Sequence, residues 1–265
     1  MLRARLATAA VAIPSLLALI LYPSPWPLAV FVTVVGVIGL AEYAMMAFPN
    51  RRFDAVLTIV LGTAVLLGAT SRSPHLLAAA LALAVSLGLV WILLTRPDFE
   101  PGLRDFGVAL VGILYVGLLL PHFIWVHTIG PLGPRWVIFV IVVGMSGDSG
   151  GYFIGHAFGR HKLMPRVSPG KTVEGALGII ATSLLGGVAS KLVFLRQLPW
   201  GETVLLATVM AVLGQLGDLS ESMMKRTFGA KESGWLFPGH GGVLDRIDSL
   251  LFPVTFLYYH IVFFR

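Results

Sequence analysis

Apolar runs long enough to cross a bilayer follow one another along nearly the whole chain, parted only by short polar or Pro/Gly joints. They fall at about 6–22, 26–48, 54–70, 75–95, 106–127, 134–154, 173–195, 202–224 and 246–264. A membrane-crossing helix takes about 20 residues, and inside hydrocarbon its backbone polar groups must be satisfied within the segment. The chain is therefore expected to be all-α, a polytopic integral membrane protein of about nine transmembrane helices. No room is left for a separate extramembrane domain, so residues 1–265 read as one membrane domain. Charged residues make up 12% of the chain, against roughly 25% in soluble domains, and the mean hydropathy is +0.87. The first run follows Arg3 and Arg5 but has no small-residue cleavage site, and further spans follow it. It reads as a retained span, not a secretory leader.

With nine spans, the N-terminus and every second joint share one side. That side collects most of the Lys and Arg, leaving only Arg72, Arg135, Lys191, Arg196 and Arg265 on the other. The positive-inside rule then puts the N-terminus and the two most basic loops in the cytoplasm and the C-terminus outside. The location expected is the inner, cytoplasmic membrane of the cell. The net charge of +6 fits cytoplasmic loops and an anionic substrate better than nucleic acid. The absence of cysteine excludes disulfides, thiolate nucleophiles and Cys-ligated metal centres.

In residues 1–140 the acids Asp54, Asp98, Glu100 and Asp105 sit in or beside joints and read as solvated loop charges. Glu42, near the end of an apolar run, is expected to reach an interface. The ionisable residues that are costly within spans lie after residue 140. Along the eighth run Asp218, Glu221, Ser222 and Lys225 fall at i, i+3, i+4 and i+7, one stripe of a helix, with Gln215 a turn earlier. Oxygen ligands followed by a cation suit a hard divalent metal and an anion. An internal Glu221–Lys225 ion pair is the alternative. The ninth run opens on His240-Gly241-Gly242 and then Asp245, Arg246 and Asp248. A glycine turn before a helix start offers N–H groups to phosphate, although first-turn acids also complement the helix dipole. Ser146-Gly-Asp148-Ser-Gly-Gly-Tyr152 suggests a broken helix lining a polar cavity. From Ser168 through Lys171, Thr172 and Glu174 a basic, hydroxyl-bearing loop enters a helix N-terminus without Walker A spacing. Carboxylates mixed with Lys and Arg in a membrane domain point to Mg²⁺-assisted handling of phosphates.

The stretch from Ser222 to Asp248 resembles the motif of the phosphatidate cytidylyltransferase (CDP-diacylglycerol synthase) family. The residues that carry the resemblance are Lys225-Arg226, Lys231-Glu232-Ser-Gly234 and Phe237-Pro-Gly-His240-Gly-Gly-Val-Leu-Asp245-Arg246-Ile-Asp248. Ser168-Pro169 with Lys171-Thr172 and Glu174-Gly175 is similar to that family's second loop, and Asp148 through Tyr152 to its acidic turn. Glu232 stands where the family usually has Asp, and Gly170 where it usually has Lys. The resemblance implies transfer of CMP from CTP to phosphatidic acid, giving CDP-diacylglycerol and pyrophosphate within the lipid bilayer. It also implies a divalent metal on Asp218 and Asp248, taken as Mg²⁺ with room for a second cation, and Glu221, Asp148 and Asp245 as further candidate ligands. On this reading Lys171, Lys225, Arg226 and Arg246 neutralise phosphate oxygens. Ser168, Thr172, Glu174, Ser222, His240, Gly241 and Gly242 bind substrate. Residues 141–265 hold the catalytic helices and cytoplasmic loops, and residues 1–140 a scaffold that could include a homodimer interface. Two rivals remain: a CTP-dependent polyprenol or phytol kinase, and a secondary transporter. The transporter lacks support, because no inverted repeat is visible and the charges crowd one side.

Overall fold

A computed structural model describes residues 13–234 and 241–265. The first expected span lies largely outside the described residues; its described part, 13–21, is helical. Then follow α1 (Trp26–Ala47), α2 (Arg52–Thr70), α3 (Pro74–Thr95), α4 (Phe99–Gly117) and the short α5 (His122–His127). After them come α6 (Gly133–Phe158), α7 (Val173–Val193), α8 (Trp200–Thr227) and α9 (Leu244–Phe264). Counting α4 and α5 as one span, Phe99–His127, eight helices among the described residues are long and apolar enough to cross a membrane. Local chemistry marks several helix starts. Ser73 caps α3 by accepting the Leu76 N–H, with Pro74 in its first turn. The Thr172 hydroxyl does the same for α7 by accepting the Gly175 N–H at 3.1 Å.

Two features depart from the expectation. The joint between α6 and α7 holds an antiparallel hairpin, β1 (Lys162–Met164) and β2 (Ser168–Thr172), with Lys162 opposite Thr172 and Met164 opposite Ser168. And α6 is not broken at 146–151: it runs unbroken from Gly133 to Phe158. Its glycines serve packing instead. A Cβ on Gly150 would lie 2.1 Å from Thr182 Oγ1, and one on Gly151 would lie 2.5 Å from Ile179 Cγ1. The two backbones can approach this closely only because the side chains are missing.

One apolar core joins both halves of the chain, with Leu40 and Tyr43 of α1 packed alongside Val116, Val140, Leu206, Leu244 and Leu251. Charged contacts collect at its two ends. At one end Arg51 pairs with Asp105, Arg96 pairs with Asp54, and Arg226 Nε donates to the Val167 carbonyl at 3.3 Å. Asp54 is therefore a clamp and not a free loop charge, since it also accepts Trp91 Nε1 at 2.9 Å. At the other end Glu202 holds Arg265 at 2.8 Å and His260 at 3.0 Å, and Lys191 donates to the Leu198 carbonyl.

Candidate active site

Part of the polar set that sequence spacing singled out converges where α6, α7, α8 and the hairpin line one cleft. Asp148, Tyr152, His156, Gly170, Lys171, Gln215 and Asp218 line a cleft of about 520 Å³ there. Lys171, at the end of β2, places Nζ 2.6 Å from Asp218 Oδ2. The Ser222 hydroxyl, one turn further along α8, lies 3.4 Å from Asp218 Oδ1. Close crossing of α8 and α9 brings Asp218 towards Asp248. A Cβ on Gly217 would lie 2.5 Å from the Asp248 carbonyl oxygen, so only glycine lets the helices meet at that level. Asp248 is 8% exposed, and its Oδ1 accepts the Ser249 N–H at 2.7 Å. Asp248 lies close enough to feel the charges of Asp218 and Glu221, and Asp148 those of Asp218, Lys171 and Arg246.

The rest of the α8 stripe is a structural triad. Lys225 pairs with both Glu221 and Asp245, and Glu221 is fully buried. The ion pair offered as an alternative for Glu221 is present, and it includes Asp245. Asp245 Oδ2 also accepts the Ser233 N–H at 2.9 Å and the Gly242 N–H at 2.8 Å. Gly241 adopts a φ of +77°, which glycine takes without strain. The glycine turn was expected to offer its N–H groups to phosphate; the structure gives that of Gly242 to Asp245. His240 lies outside the described residues.

Around the hairpin, Thr172 is buried as the α7 cap. Glu174 accepts the Arg160 N–H at 3.0 Å and the His161 N–H at 3.2 Å, with His161 Nδ1 at 2.6 Å from its other oxygen. Both residues fix the base of the hairpin, next to Lys171. Ser168 starts β2, and Arg226 fastens α8 to Val167 beside it. Gly170, the place where the family usually has Lys, lines the cleft, and a Cβ there would meet nothing within 4 Å. Glu232 is exposed.

Sequence reasoning also misplaced Glu42. Glu42 does not reach an interface: it is 5% exposed and accepts the Val243 and Leu244 N–H groups at 2.9 Å each. Its only sequence signal was its cost within an apolar run. Asp148, ranked second in the sequence reading, lines more than the cleft. Further along the same face of α6, past Val137, Ile141 and Met145, is a second cavity of about 510 Å³, walled also by Leu16, Ile20, Phe31, Val35 and Phe123. It ends at Asp148, Ser149 and Arg246, so Asp148 belongs to the walls of both spaces.

Fold and site define a multi-pass membrane protein that gathers carboxylates and cations between a polar cleft and an apolar one. The sequence pattern of the cytidylyltransferase family matches residues 3–264, and the chain belongs to that family. It is 38% identical to a phosphatidate cytidylyltransferase of Bacillus subtilis over 181 residues, which is 68% of this chain and 66% of that one. It is 41% identical to one of Brucella suis over 152 residues, covering 57% and 56% of the two chains. A Staphylococcus epidermidis phosphatidate cytidylyltransferase is 37% identical over 153 residues, 58% of each chain. The chain thus aligns with between about half and two thirds of the length of these relatives.

Proposed function

We propose that the protein transfers CMP from CTP to phosphatidic acid, forming CDP-diacylglycerol and releasing pyrophosphate. The supporting observation is the shared wall at Asp148. A polar cleft large enough for nucleotide phosphates and an apolar cavity suited to acyl chains meet at one carboxylate, with Lys171 on one side and Arg246 on the other. The relatives' name, phosphatidate cytidylyltransferase, gives the same acceptor and the same transferred group. A phosphatidic acid phosphate oxygen attacks the α-phosphorus of CTP, and the bond to the β-phosphate oxygen breaks. The lipid phosphate is already an anionic nucleophile, so the reaction needs alignment and relief of charge repulsion more than a strong base. Lys171 supplies a cation to the nucleotide side and Arg246 to the lipid side, while Arg226 holds the hairpin against α8.

Mg²⁺ fits the donor set by its chemistry. Asp148, Asp218 and Asp248 are hard oxygen donors whose mutual repulsion a cation would relieve. Glu221 and Asp245 are engaged with Lys225, which favours Asp148 over either as the third carboxylate. Among the described residues no three such groups already surround one point, and Asp218 is paired with Lys171. When bound, Mg²⁺ would neutralise the triphosphate and the departing pyrophosphate. By the positive-inside rule the cleft, the hairpin and the N-terminus face the cytoplasm, where CTP is found, and the C-terminus lies outside. Pyrophosphate release from CTP by purified protein, with phosphatidic acid or with a polyprenol, tests the proposal. Pyrophosphate release that requires phosphatidic acid is expected; CDP release with the alcohol, the γ-phosphate of CTP passing to the lipid, would assign the chain to lipid kinases.

A further inference from the structure

Glu42 receives two backbone donors, and shares a hydroxyl with Asp245, from a part of the chain some two hundred residues away. Its Oε1 accepts the Val243 N–H and its Oε2 the Leu244 N–H, both at 2.9 Å. The Ser233 hydroxyl lies 3.2 Å from Glu42 Oε2 and 2.8 Å from Asp245 Oδ2, between the two carboxylates. The receiving pocket is cut to fit. A Cβ on Gly234 would lie 2.4 Å from Glu42 Oε1, and one on Gly242 would lie 2.5 Å from Oε2. A side chain at either glycine would therefore drive Glu42 out. The first N–H groups of α9 have no partner within their own helix, and a carboxylate placed there satisfies them and complements the helix dipole. The same turn carries Asp245, Arg246 and Asp248.

We infer that Glu42, contributed by α1 in the half of the chain that looks like scaffold, is the positioning residue for this site. It pins the entry of α9 and thereby sets the orientation of Asp245, Arg246 and Asp248 against α6 and α8. The role it plays rests on the proposed CMP transfer, but the anchoring itself does not. Removing the carboxylate frees two amides at once and leaves the Ser233 hydroxyl to Asp245 alone, and the first turn of α9 loosens while the spans around it stay packed. Truncating such an anchor is expected to lower kcat and to leave CTP capture at Lys171 nearly intact.

Glu42→Gln and Glu42→Asp, with Glu100→Gln as an exposed control, would be compared by amide hydrogen exchange and by steady-state kinetics. In Glu42→Gln, exchange across 241–246 is expected to rise at least about tenfold, with the peptides of α6 and α7 unchanged. The turnover number is expected to fall about ten- to a hundredfold, as for loss of a charged hydrogen-bond acceptor, with the KM for CTP within about threefold. Glu42→Asp keeps the charge but shortens the reach, and should recover part of the rate. If Glu42→Gln fails to fold, Ser233→Ala removes only the bridging hydroxyl and should give the same direction at a fewfold. Unchanged exchange across 241–246 would overturn the anchor. Faster exchange with normal turnover per folded molecule would overturn the positioning role. A wild-type protein that transfers no CMP would overturn the functional reading while leaving the exchange result standing.

Discussion

Replacing Lys171 with alanine separates an electrostatic contact in the cleft from a mere structural ion pair. Its ammonium sits 2.6 Å from Asp218 Oδ2, with side-chain exposures of 23% for Lys171 and 35% for Asp218. A pair that open to solvent contributes at most about 1 kcal/mol to stability, so the melting temperature should fall by only a few degrees. A charge-assisted contact to a triphosphate, by contrast, is worth about 1.5–3 kcal/mol, which corresponds to roughly ten- to 150-fold in kcat/KM. Catalysis, not folding, should therefore register the change. The assay is CMP transfer by purified protein in lipid nanodiscs, with CTP varied at saturating phosphatidic acid and the melting temperature measured on the same preparation. Lys171→Arg should keep most of the charge effect. A variant that melts several degrees lower yet turns over normally per folded molecule would refute the contact and reduce Lys171 to a tether for Asp218.

Three further outcomes follow from the same geometry. Asp218→Asn or Asp248→Asn each removes a charge from the proposed cation site, and Mg²⁺-dependent turnover should drop by several orders of magnitude with near-normal purification; titrating Mg²⁺ and Mn²⁺ against each variant checks this. Gly217→Val thrusts a side chain at the Asp248 carbonyl oxygen, where even a Cβ would lie at 2.5 Å, and overpacking of this kind costs about 1–3 kcal/mol. Thermal unfolding of that variant should shift downwards together with its activity. Gly170→Lys enters open space beside the cleft, so it should fold normally, and the added cation should lower the KM for CTP in initial-rate measurements.

Apolar runs alone revealed the spans from α1 to α9, because hydrocarbon demands uninterrupted helices of near-fixed length. The α8 stripe was legible for the same reason: a carboxylate such as Asp218 is too costly within a span to be incidental. What the sequence hid was partnership. Glycines 147–151 suggest a break when read locally, yet they are the contact surface of two closely packed helices. Thr172 and Glu174 suggest phosphate ligands, yet Thr172 caps α7 and Glu174 ties the base of the hairpin. The hairpin itself escaped notice because strands of three and five residues rich in Lys, Pro and Gly carry no alternating pattern. Glu42 could not be placed because its donors come from Val243 and Leu244, far along the chain. A carboxylate inside an apolar run was the one available hint, and it should have been read as a demand for buried donors.

The central claim is that one cation-assisted site joins a nucleotide to a lipid phosphate. Supplying the purified protein with CTP labelled at the α-phosphate, phosphatidic acid and Mg²⁺ tests it most directly. The label should pass into a liponucleotide in step with one pyrophosphate released per lipid converted, and Asp248→Asn should abolish the transfer. Label that stays in free nucleotide while the lipid acquires the γ-phosphate, or transfer that persists in Asp248→Asn, would contradict it.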